Sequence, residues 1–420
     1  MCSFLSLPNP RTLGACRANT WETWKRPRFR RGVYGKIVGV EWLLHAIGIV
    51  LILAGIADVF LTVLHPDGFG FLSSRLYSGL FHSVRLITRP LPRRLRALGL
   101  SLAAPLMVPV TITVWIVLVL VGYAFVYYAG MDGGSFNFSN PGLEPSFGEA
   151  LYVSGTAIST LGFGDVTPAS GLYQALAISE ALIGFGILTL AISYVVGIYG
   201  VLQQLGVTAA GLLHQAEDTA EPLSILRPHF PDGEPRDIES QVATHHRSLV
   251  EIYEGLRRYP IVYYYHSRRA YRSLPYTFRM IGGVVGALRW GFPRGHPASQ
   301  PPWLPALHTG LDMLISFVDE RFLSKRLEKA PATVSFETFQ AALEGNEEPS
   351  DPWLARFLEM QRYVHDLARL EEPPDPKESY ERYEEWLPSA HRNRAFFEAS
   401  AKDLGYEMHE LDRSPGDRLF

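Results

Sequence analysis

Three long apolar runs dominate the first half of the chain, and they cover residues 42–64, 103–129 and 172–202. Each run reaches the roughly 20 residues that an α-helix needs to cross the hydrocarbon core of a bilayer. Beyond residue 205 the sequence turns polar, rich in Arg and Glu and interrupted by Pro. The pattern therefore predicts a membrane protein with three spans, the first at 41–65, followed by a helical domain at 205–420.

The stretch between the first two spans, residues 66–102, mixes apolar and basic positions with a helical period. The apolar residues at this spacing are Leu72, Leu76, Leu80, Val84 and Ile87. The interleaved arginines are Arg75, Arg85, Arg89, Arg93, Arg94 and Arg96. This pattern is typical of an amphipathic helix that lies on the membrane surface and does not cross it. Because Arg and Lys collect in cytoplasmic loops, we expect this linker on the cytoplasmic side.

A short helix is predicted between the second and third spans. Ser146 and Glu149 form the Ser-x-x-Glu capping box that starts a helix, which we place at residues 147–159. The segment is too short to cross a bilayer, so it must enter and leave from the same side. The negative end of its dipole would then favour a cation near the membrane centre.

The seven residues 159–165 that end this helix read Ser-Thr-Leu-Gly-Phe-Gly-Asp. Gly162 and Gly164 can adopt positive φ angles, which most residues avoid. Alternation of such residues with ordinary ones can point successive carbonyl groups the same way. Rings of these carbonyls, contributed by several chains, can replace the hydration shell of a monovalent cation.

The capped short helix, the Thr-x-Gly-Phe-Gly-Asp motif and the flanking spans together resemble the potassium-channel pore family, whose filter reads Thr-Val-Gly-Tyr/Phe-Gly-Asp. The resemblance covers residues 103–202, about a quarter of the chain. It implies an all-α membrane protein with a tetrameric pore, to which each chain contributes two spans, a re-entrant helix and a filter. The pore domain would occupy 103–204, with the inner helix at 172–203. The first span would be an addition to this pore.

The resemblance also implies roles for individual residues. Potassium would be coordinated by carbonyls of the filter, 160–164, which consists of Thr160, Leu161, Gly162, Phe163 and Gly164. Asp165 would lie at the outer mouth and attract cations, while Thr156 and Ser159 would support the filter from the pore helix. One pore segment per chain implies a homotetramer.

Several positions depart from the family pattern and remove polar groups behind the filter. Leu161 replaces the commoner Val, and Phe163 replaces the commoner Tyr. Tyr152 and Val153 stand where many members carry a Trp pair, and Thr156 stands where some bacterial members carry Glu. These changes bear on filter rigidity more than on potassium selectivity.

Two further sets of residues lie on the predicted inner helix. Gly184 and Gly186 are candidates for a gating hinge, with close helix packing as the equal alternative for Gly184. Ile192 and Val196 are candidates for a hydrophobic inner constriction that closes by dewetting. Glu180 is expected to face the pore helix, because intramembrane carboxylates avoid lipid.

The first span carries its own carboxylate, Asp58, which is either functional or paired with an arginine such as Arg75. Both flanks of this span are basic. We take the flank at 66–102 as cytoplasmic because the pore requires it, which places the N-terminus outside. Residues 1–40 fit no secretory signal and are interpreted as a disordered basic leader, or as a stretch added by a mistaken start codon.

The tail beyond residue 205 shows helical patterns at 238–258, 307–329 and 353–370 but no strand pattern. It lacks a Gly-x-Gly-x-x-Gly motif, so we predict a helical regulatory domain that is not the nucleotide-binding type. The Tyr263 to Tyr265 run predicts either core packing or docking on a membrane or partner. The acidic excess of the tail argues against nucleic-acid binding. The two cysteines, Cys2 and Cys16, permit no disulfide framework.

The sequence thus predicts a potassium-selective channel of the cell membrane, with a cytoplasmic regulatory tail whose ligand is undefined. Two alternatives are a weakly selective cation channel and a non-conducting membrane sensor or partner subunit. No span carries the regular arginine series of a voltage sensor. No catalytic motif is present, so the protein is expected to be no enzyme and to need no cofactor beyond the permeant K⁺.

Overall fold

The computed structural model describes residues 38–411 except 69, 132, 141 and 324–326. Almost all of the predicted leader, including Cys2 and Cys16, lies outside these residues. The membrane half contains α1 (Val38–Val59, continued by a π-helical turn at Phe60–Leu64), α2 (Phe71–Thr88), α3 (Arg93–Met131), β1 (Phe136–Phe138), α4 (Phe147–Ile158), β2 (Val166–Pro168) and α5 (Gly171–Gln215).

The tail contains seven α-helices within the described residues. They are α6 (Ile238–Arg258), α7 (Leu274–Gly286, continued by a π-helical turn at Ala287–Gly291), α8 (Leu304–Arg321), α9 (Phe336–Leu343), α10 (Pro352–Leu367), α11 (Pro376–Leu404) and α12 (Met408–Leu411). Short 3-10 turns occupy Pro222–His229, Pro260–Tyr264, Ala270–Arg272 and Pro297–Ser299.

Three helices are long and apolar enough to cross a membrane, at Val40–Leu64, Arg93–Met131 and Gly171–Gln215. The prediction of three spans is therefore confirmed. The first span packs along α3, where Gly48 and Gly122 bring the two backbones together. A Cβ atom on Gly48 would lie 2.5 Å from the Gly122 carbonyl oxygen. Small residues at such contacts are the usual means by which membrane helices approach closely.

The all-α prediction is wrong in one detail, because the described residues include a two-stranded antiparallel ribbon. Phe136 pairs with Pro168, and Phe138 pairs with Val166. The ribbon forms because Phe136 is buried against the ring of Tyr127, at 5.7 Å, and that of Tyr173, at 5.2 Å. The protein is thus largely helical, with a small strand pair beside the filter.

The second span begins ten residues before the predicted boundary at 103, so the surface linker 66–102 is shorter than predicted. The tail stabilises this early start. Arg93 forms an ion pair of 2.7 Å with Glu407, and Leu100 is fully buried against Gly405. These partners lie about 300 residues further along the chain. The hydrophobic pattern around residue 93 therefore could not predict the early start of the helix.

The inner helix is longer than the predicted range 172–203, because α5 runs without a break to Gln215. No proline interrupts this stretch. Leu205, Ala209 and Leu212 are buried, and the helix here packs on α6 and α7 of the tail. The inner helix therefore enters the tail as one continuous rod.

Asp58 joins the first span to two other helices, and its partners are neutral donors in place of the arginine proposed above. Its carboxylate accepts hydrogen bonds from the Trp115 indole at 2.8 Å, the Ser73 hydroxyl at 2.5 Å and the Leu72 amide at 2.8 Å. The Leu72 amide belongs to the first turn of α2, where a negative charge is favoured. Asp58 thereby fixes the start of the surface helix.

The tail packs on the arginine-rich face of α2. Arg85 Nη1 donates to the carbonyl oxygen of Asp403 at 3.2 Å, and Tyr263 donates to the Asp403 carboxylate at 2.9 Å. The ring of Tyr264 lies 5.2 Å from that of Phe81 on α2. The Tyr263 to Tyr265 run therefore belongs to a buried core, as one of its two interpretations predicted.

We expect the fold to lose stability on acidification through His245, which is 3% exposed. Its Nε2 accepts a hydrogen bond from Gln241 at 2.7 Å, and Gln241 also donates to Gln215 at the end of α5. Burial, with a smaller contribution from the nearby His229, lowers the pKa of His245 from 6.5 to about 4. The folded state resists protonation of His245, so this residue does not reduce stability above pH 6.5. Between pH 6.5 and pH 4 the free energy of unfolding should fall by up to about 3 kcal/mol.

Thermal unfolding of the detergent-solubilised protein across this pH range measures the effect. His245→Gln should flatten the pH dependence, while His214→Gln, at a side chain 74% exposed, should leave it unchanged. Part of the slope should persist in His245→Gln, because burial also lowers the pKa of His266 to about 4. Equal slopes in all three proteins would contradict the assignment to His245.

Candidate ion pathway

The pore helix α4 begins as its capping residues predict. Ser146 has extended backbone angles, and its hydroxyl accepts a hydrogen bond from the Glu149 amide at 3.2 Å. The helix ends at Ile158, with Ser159 as its C-cap. Its length of 12 residues makes it about 18 Å long, well short of a bilayer crossing.

The filter backbone alternates in handedness. Thr160, Gly162 and Gly164 have φ angles of 59°, 53° and 86°, whereas Leu161 and Phe163 keep negative φ. Such alternation turns successive carbonyls toward the same side, which is the arrangement that a ring of cation ligands needs. Thr160 is β-branched, so its positive φ costs about 1–3 kcal/mol and marks a constrained position.

The filter is attached to the pore helix through the backbone of Thr156. Its carbonyl oxygen accepts hydrogen bonds from the amides of Leu161 at 2.9 Å and Gly162 at 3.3 Å. The Thr156 hydroxyl bonds instead to the Val153 carbonyl, and the Ser159 hydroxyl to the Gly155 carbonyl. Thr156 therefore contacts the filter by its main chain, while its own hydroxyl and that of Ser159 stay on the helix.

Tyr152 contacts the filter, a role that the sequence pattern missed. Its hydroxyl donates to the two carboxylate oxygens of Asp165, at 2.8 and 3.0 Å. Its ring lies parallel to that of Phe163, with centroids 6.5 Å apart and an interplanar angle of 7°. A polar contact, which we call the strut, therefore links the pore helix to the filter although the Trp pair is absent. Tyr152 is its donor and Asp165 its acceptor.

Loss of the hydrogen bond between Tyr152 and Asp165 should make the current decay faster, because the outer end of the filter loses a support. Tyr152→Phe keeps the ring but deletes the hydrogen bond from the Tyr152 hydroxyl to Asp165. We expect steady-state conduction to fall roughly tenfold relative to the initial current. Planar-bilayer recordings measure this ratio, and Tyr128→Phe, at a ring that packs on Phe147, is the matched control. A ratio equal to wild type would show that the strut is dispensable.

Glu180 joins the three helices of the pore. This fully buried carboxylate on α5 lies 2.5 Å from the Ser154 hydroxyl of the pore helix and 2.7 Å from the Tyr127 hydroxyl of α3. As expected from its place in the span, it faces the pore helix. The three residues fix the pore helix between the outer and inner helices.

The two glycines of the inner helix have different surroundings. A Cβ atom on Gly184 would lie 2.5 Å from the carbonyl oxygen of Ile158, at the end of the pore helix. Gly186 has no atom within 4 Å of a Cβ position. Of the two interpretations of Gly184, close packing has a visible contact, and α5 passes both glycines without a break.

One face of α5 is apolar and exposed in a single chain. Ile192 is 59% exposed and Val196 is 68% exposed. The same holds for the filter side chains Leu161 and Phe163. Within a single chain these residues form one open surface and do not enclose a pathway.

Within the part of the chain that the structure describes, no cluster of His, Cys, Asp or Glu could hold a metal ion. A capped re-entrant helix, a filter of alternating handedness and a span on either side together define an ion-channel pore domain.

Comparison with known proteins agrees with this class. Residues 110–199 match a family model described as "Ion channel". The chain is also 24% identical over 308 residues to "Uncharacterized membrane protein YdjJ" from Bacillus subtilis (strain 168), a match that covers 70% of this chain and 87% of that protein. No solved structure shows a significant match. The chain thus carries an ion-channel domain, and the matched family is one of channels and not of enzymes.

Proposed function

We propose that the protein is a potassium-selective channel formed by four identical chains. The observation that carries this proposal is the alternation of φ along Thr160, Gly162 and Gly164. It aligns carbonyl groups so that four copies would form stacked rings of oxygen ligands. Such rings replace the hydration shell of a potassium ion.

Symmetry supports the number of chains. The filter lies on the exposed side of each chain, as does the apolar face of α5 that includes Ile192 and Val196. Closed rotational symmetry places these surfaces around one axis. Ile192 and Val196 would then narrow the inner end of the pathway, with Asp165 at its outer mouth.

The charge distribution supports a cell-membrane location with the tail in the cytoplasm. The arginines of α2 and early α3 lie on the side where the tail packs, and three of them pair with Asp403 or Glu407. Basic residues next to a span face the cytoplasm. The filter, on the far side of α3 and α5, would then face outside.

The tail would control opening through two connections. One is the continuous α5, whose last turn packs on tail helices. The other is the contact of Arg85 with Asp403, which ties the tail to the surface helix. A movement of the tail would therefore turn or tilt the inner helix relative to α2.

Reversal potentials of purified protein in planar bilayers test the proposal. With potassium on one side and sodium on the other, the reversal potential should shift toward the potassium equilibrium value. Native mass spectrometry of the same sample should give a mass of four chains. Equal permeation of sodium would overturn the selectivity, and the absence of any current from reconstituted protein would overturn the channel itself.

A further inference from the structure

The first residue after α6, Tyr259, lies directly against the inner helix. Its side chain fills a notch that Gly197 leaves in α5, where a Cβ atom would lie 2.1 Å from the Tyr259 hydroxyl oxygen and 2.4 Å from the ring carbon that carries it. The ring also packs on Tyr194, one turn earlier in α5, with ring centroids 5.5 Å apart. No side chain larger than that of glycine fits at residue 197 while Tyr259 keeps this position.

Tyr259 is held in place by parts of the chain that carry neither the filter nor the apolar face of α5. Pro260 disfavours helical angles at the residue before it, so α6 ends just before Tyr259. Arg257, in the last turn of α6, donates to the Asp67 carboxylate at 2.5 Å, in the loop that follows the first span. The 3-10 turn Pro260–Tyr264 then packs on α2 and α3. Tyr259 is therefore fixed relative to the first two spans.

Tyr259 and the proposed constriction residues lie on different sides of α5. Tyr194 and Gly197 are three residues apart and share one face of the helix. Ile192 and Val196 are four residues apart and share another. Because each residue turns the helix by about 100°, the two faces point about 150° apart. Their surroundings agree, since Tyr194 is 2% exposed and Val196 is 68% exposed. Tyr259 thus lies behind α5 with respect to the surface that would line the pathway.

The inner helix cannot move away from the pathway at this level unless Tyr259 moves as well. Such a movement would press the Gly197 backbone into the Tyr259 ring, which already leaves no room for a Cβ atom. The Tyr194 hydroxyl, 3.2 Å from that of Tyr77 on α2, holds the same level of α5 from a second direction. A pathway lined by α5 would therefore widen at its inner end only after the tail has withdrawn Tyr259.

We infer that Tyr259 is a positioning residue, which keeps α5 close to the pathway and so favours a narrow inner end. This inference rests on the proposed function, because it takes Ile192 and Val196 as the residues that narrow the pathway. It adds a specific contact through which the tail controls them. Val196 directly precedes Gly197 in the sequence, so a displacement of Tyr259 would act at the constriction itself.

Two single variants should change the open probability in opposite directions, as measured by single-channel recordings in planar bilayers. Tyr259→Leu deletes the ring carbon and hydroxyl that fill the notch, so α5 gains room to move back and the open probability should rise at least about fivefold. Gly197→Ala adds a methyl group against Tyr259, pushes α5 toward the pathway and should lower the open probability at least about fivefold. The combination of both changes should return it to within about twofold of wild type, because the methyl group refills the notch. Unitary conductance should stay the same in all three proteins, since none of the changes touches the filter.

Tyr253→Leu and Gly211→Ala are the matched controls. Tyr253 is a tail tyrosine whose ring packs on Phe317 of α8, with centroids 5.5 Å apart, and Gly211 is an open position of α5. Both variants should leave the open probability unchanged. Tyr259→Phe, which deletes only the hydroxyl, should give a smaller rise than Tyr259→Leu and replaces it if the leucine variant does not assemble.

The outcomes separate this inference from the proposed function. Absence of any current from wild-type protein would contradict the channel. With a conducting wild type, the role of Tyr259 is overturned if both single variants keep the wild-type open probability or change it in the same direction. It is also overturned if the combined variant lies no closer to wild type than the single variants do.

Discussion

Gly162→Ala should abolish potassium flux while the protein still assembles. Gly162 has a φ of 53°, and an alanine there costs about 1–2 kcal/mol in each chain. No atom lies within 4 Å of a Cβ at this position within one chain, so the effect is conformational and not a clash. Relaxation to negative φ would turn a carbonyl out of the ladder in every chain of the proposed tetramer. Flux from proteoliposomes should fall at least a hundredfold.

Gly211→Ala is the matched control. Gly211 lies within α5, has an open Cβ position and keeps negative φ. Alanine there should favour the helix by about 1 kcal/mol and leave the flux intact. Size-exclusion profiles of both variants should match wild type. Normal flux through Gly162→Ala would contradict the carbonyl ladder as the conduction path.

Glu180→Leu should destabilise the pore by separating the pore helix from the outer and inner helices. The substitution leaves the Tyr127 hydroxyl without its acceptor in a buried site, whereas the Ser154 hydroxyl can still donate to the Leu120 carbonyl oxygen at 2.8 Å. One unsatisfied group of this kind costs about 1–3 kcal/mol per chain. The pore helix would lose its connection to the inner helix, so the filter should lose its alignment as well.

A double-mutant cycle separates this contact from general damage. Glu180→Leu combined with Tyr127→Phe should cost less than the sum of the two single changes, because they remove one interaction. Tyr123→Phe, whose hydroxyl bonds Ser179, should be additive with Glu180→Leu. Thermal dissociation of the assembled protein in detergent supplies the energies. Additivity with Tyr127→Phe would show that the two side chains act independently.

The pattern of neighbouring residues was sufficient to predict the three spans and the start of the pore helix. Apolar runs of membrane length and the Ser146 capping box are properties of neighbouring residues. The positive φ of Thr160 could not be predicted in that way, because a β-branched residue avoids this region unless tertiary contacts impose it. Here the Thr160 amide donates to the Ala157 carbonyl oxygen, and the amides of the next two residues donate to the Thr156 carbonyl oxygen.

Contacts between distant segments account for the other differences. One of the two interpretations of Asp58 paired it with an arginine, but its carboxylate is hydrogen-bonded by three neutral donors from α2 and α3. The strut from Tyr152 to Asp165 crosses 13 residues and replaces a Trp pair with different chemistry. The sequence pattern does not predict the long helix α11, because this segment is mostly polar and contains Pro388. Its buried stripe becomes visible only once α7 and α9 pack on it.

The 45 residues of α5 extend about 68 Å, whereas a bilayer with its headgroups is about 40–45 Å thick. The helix therefore leaves the membrane without a break. Each residue added to it or removed from it would rotate the tail by about 100° around the helix axis. An insertion of one residue between 205 and 212 would rotate the tail away from α2. In a chimera that joins this pore to a foreign tail, the junction must preserve helical phase if it lies before Gln215. Beyond Ala216, where the helix ends, that phase restriction is lifted.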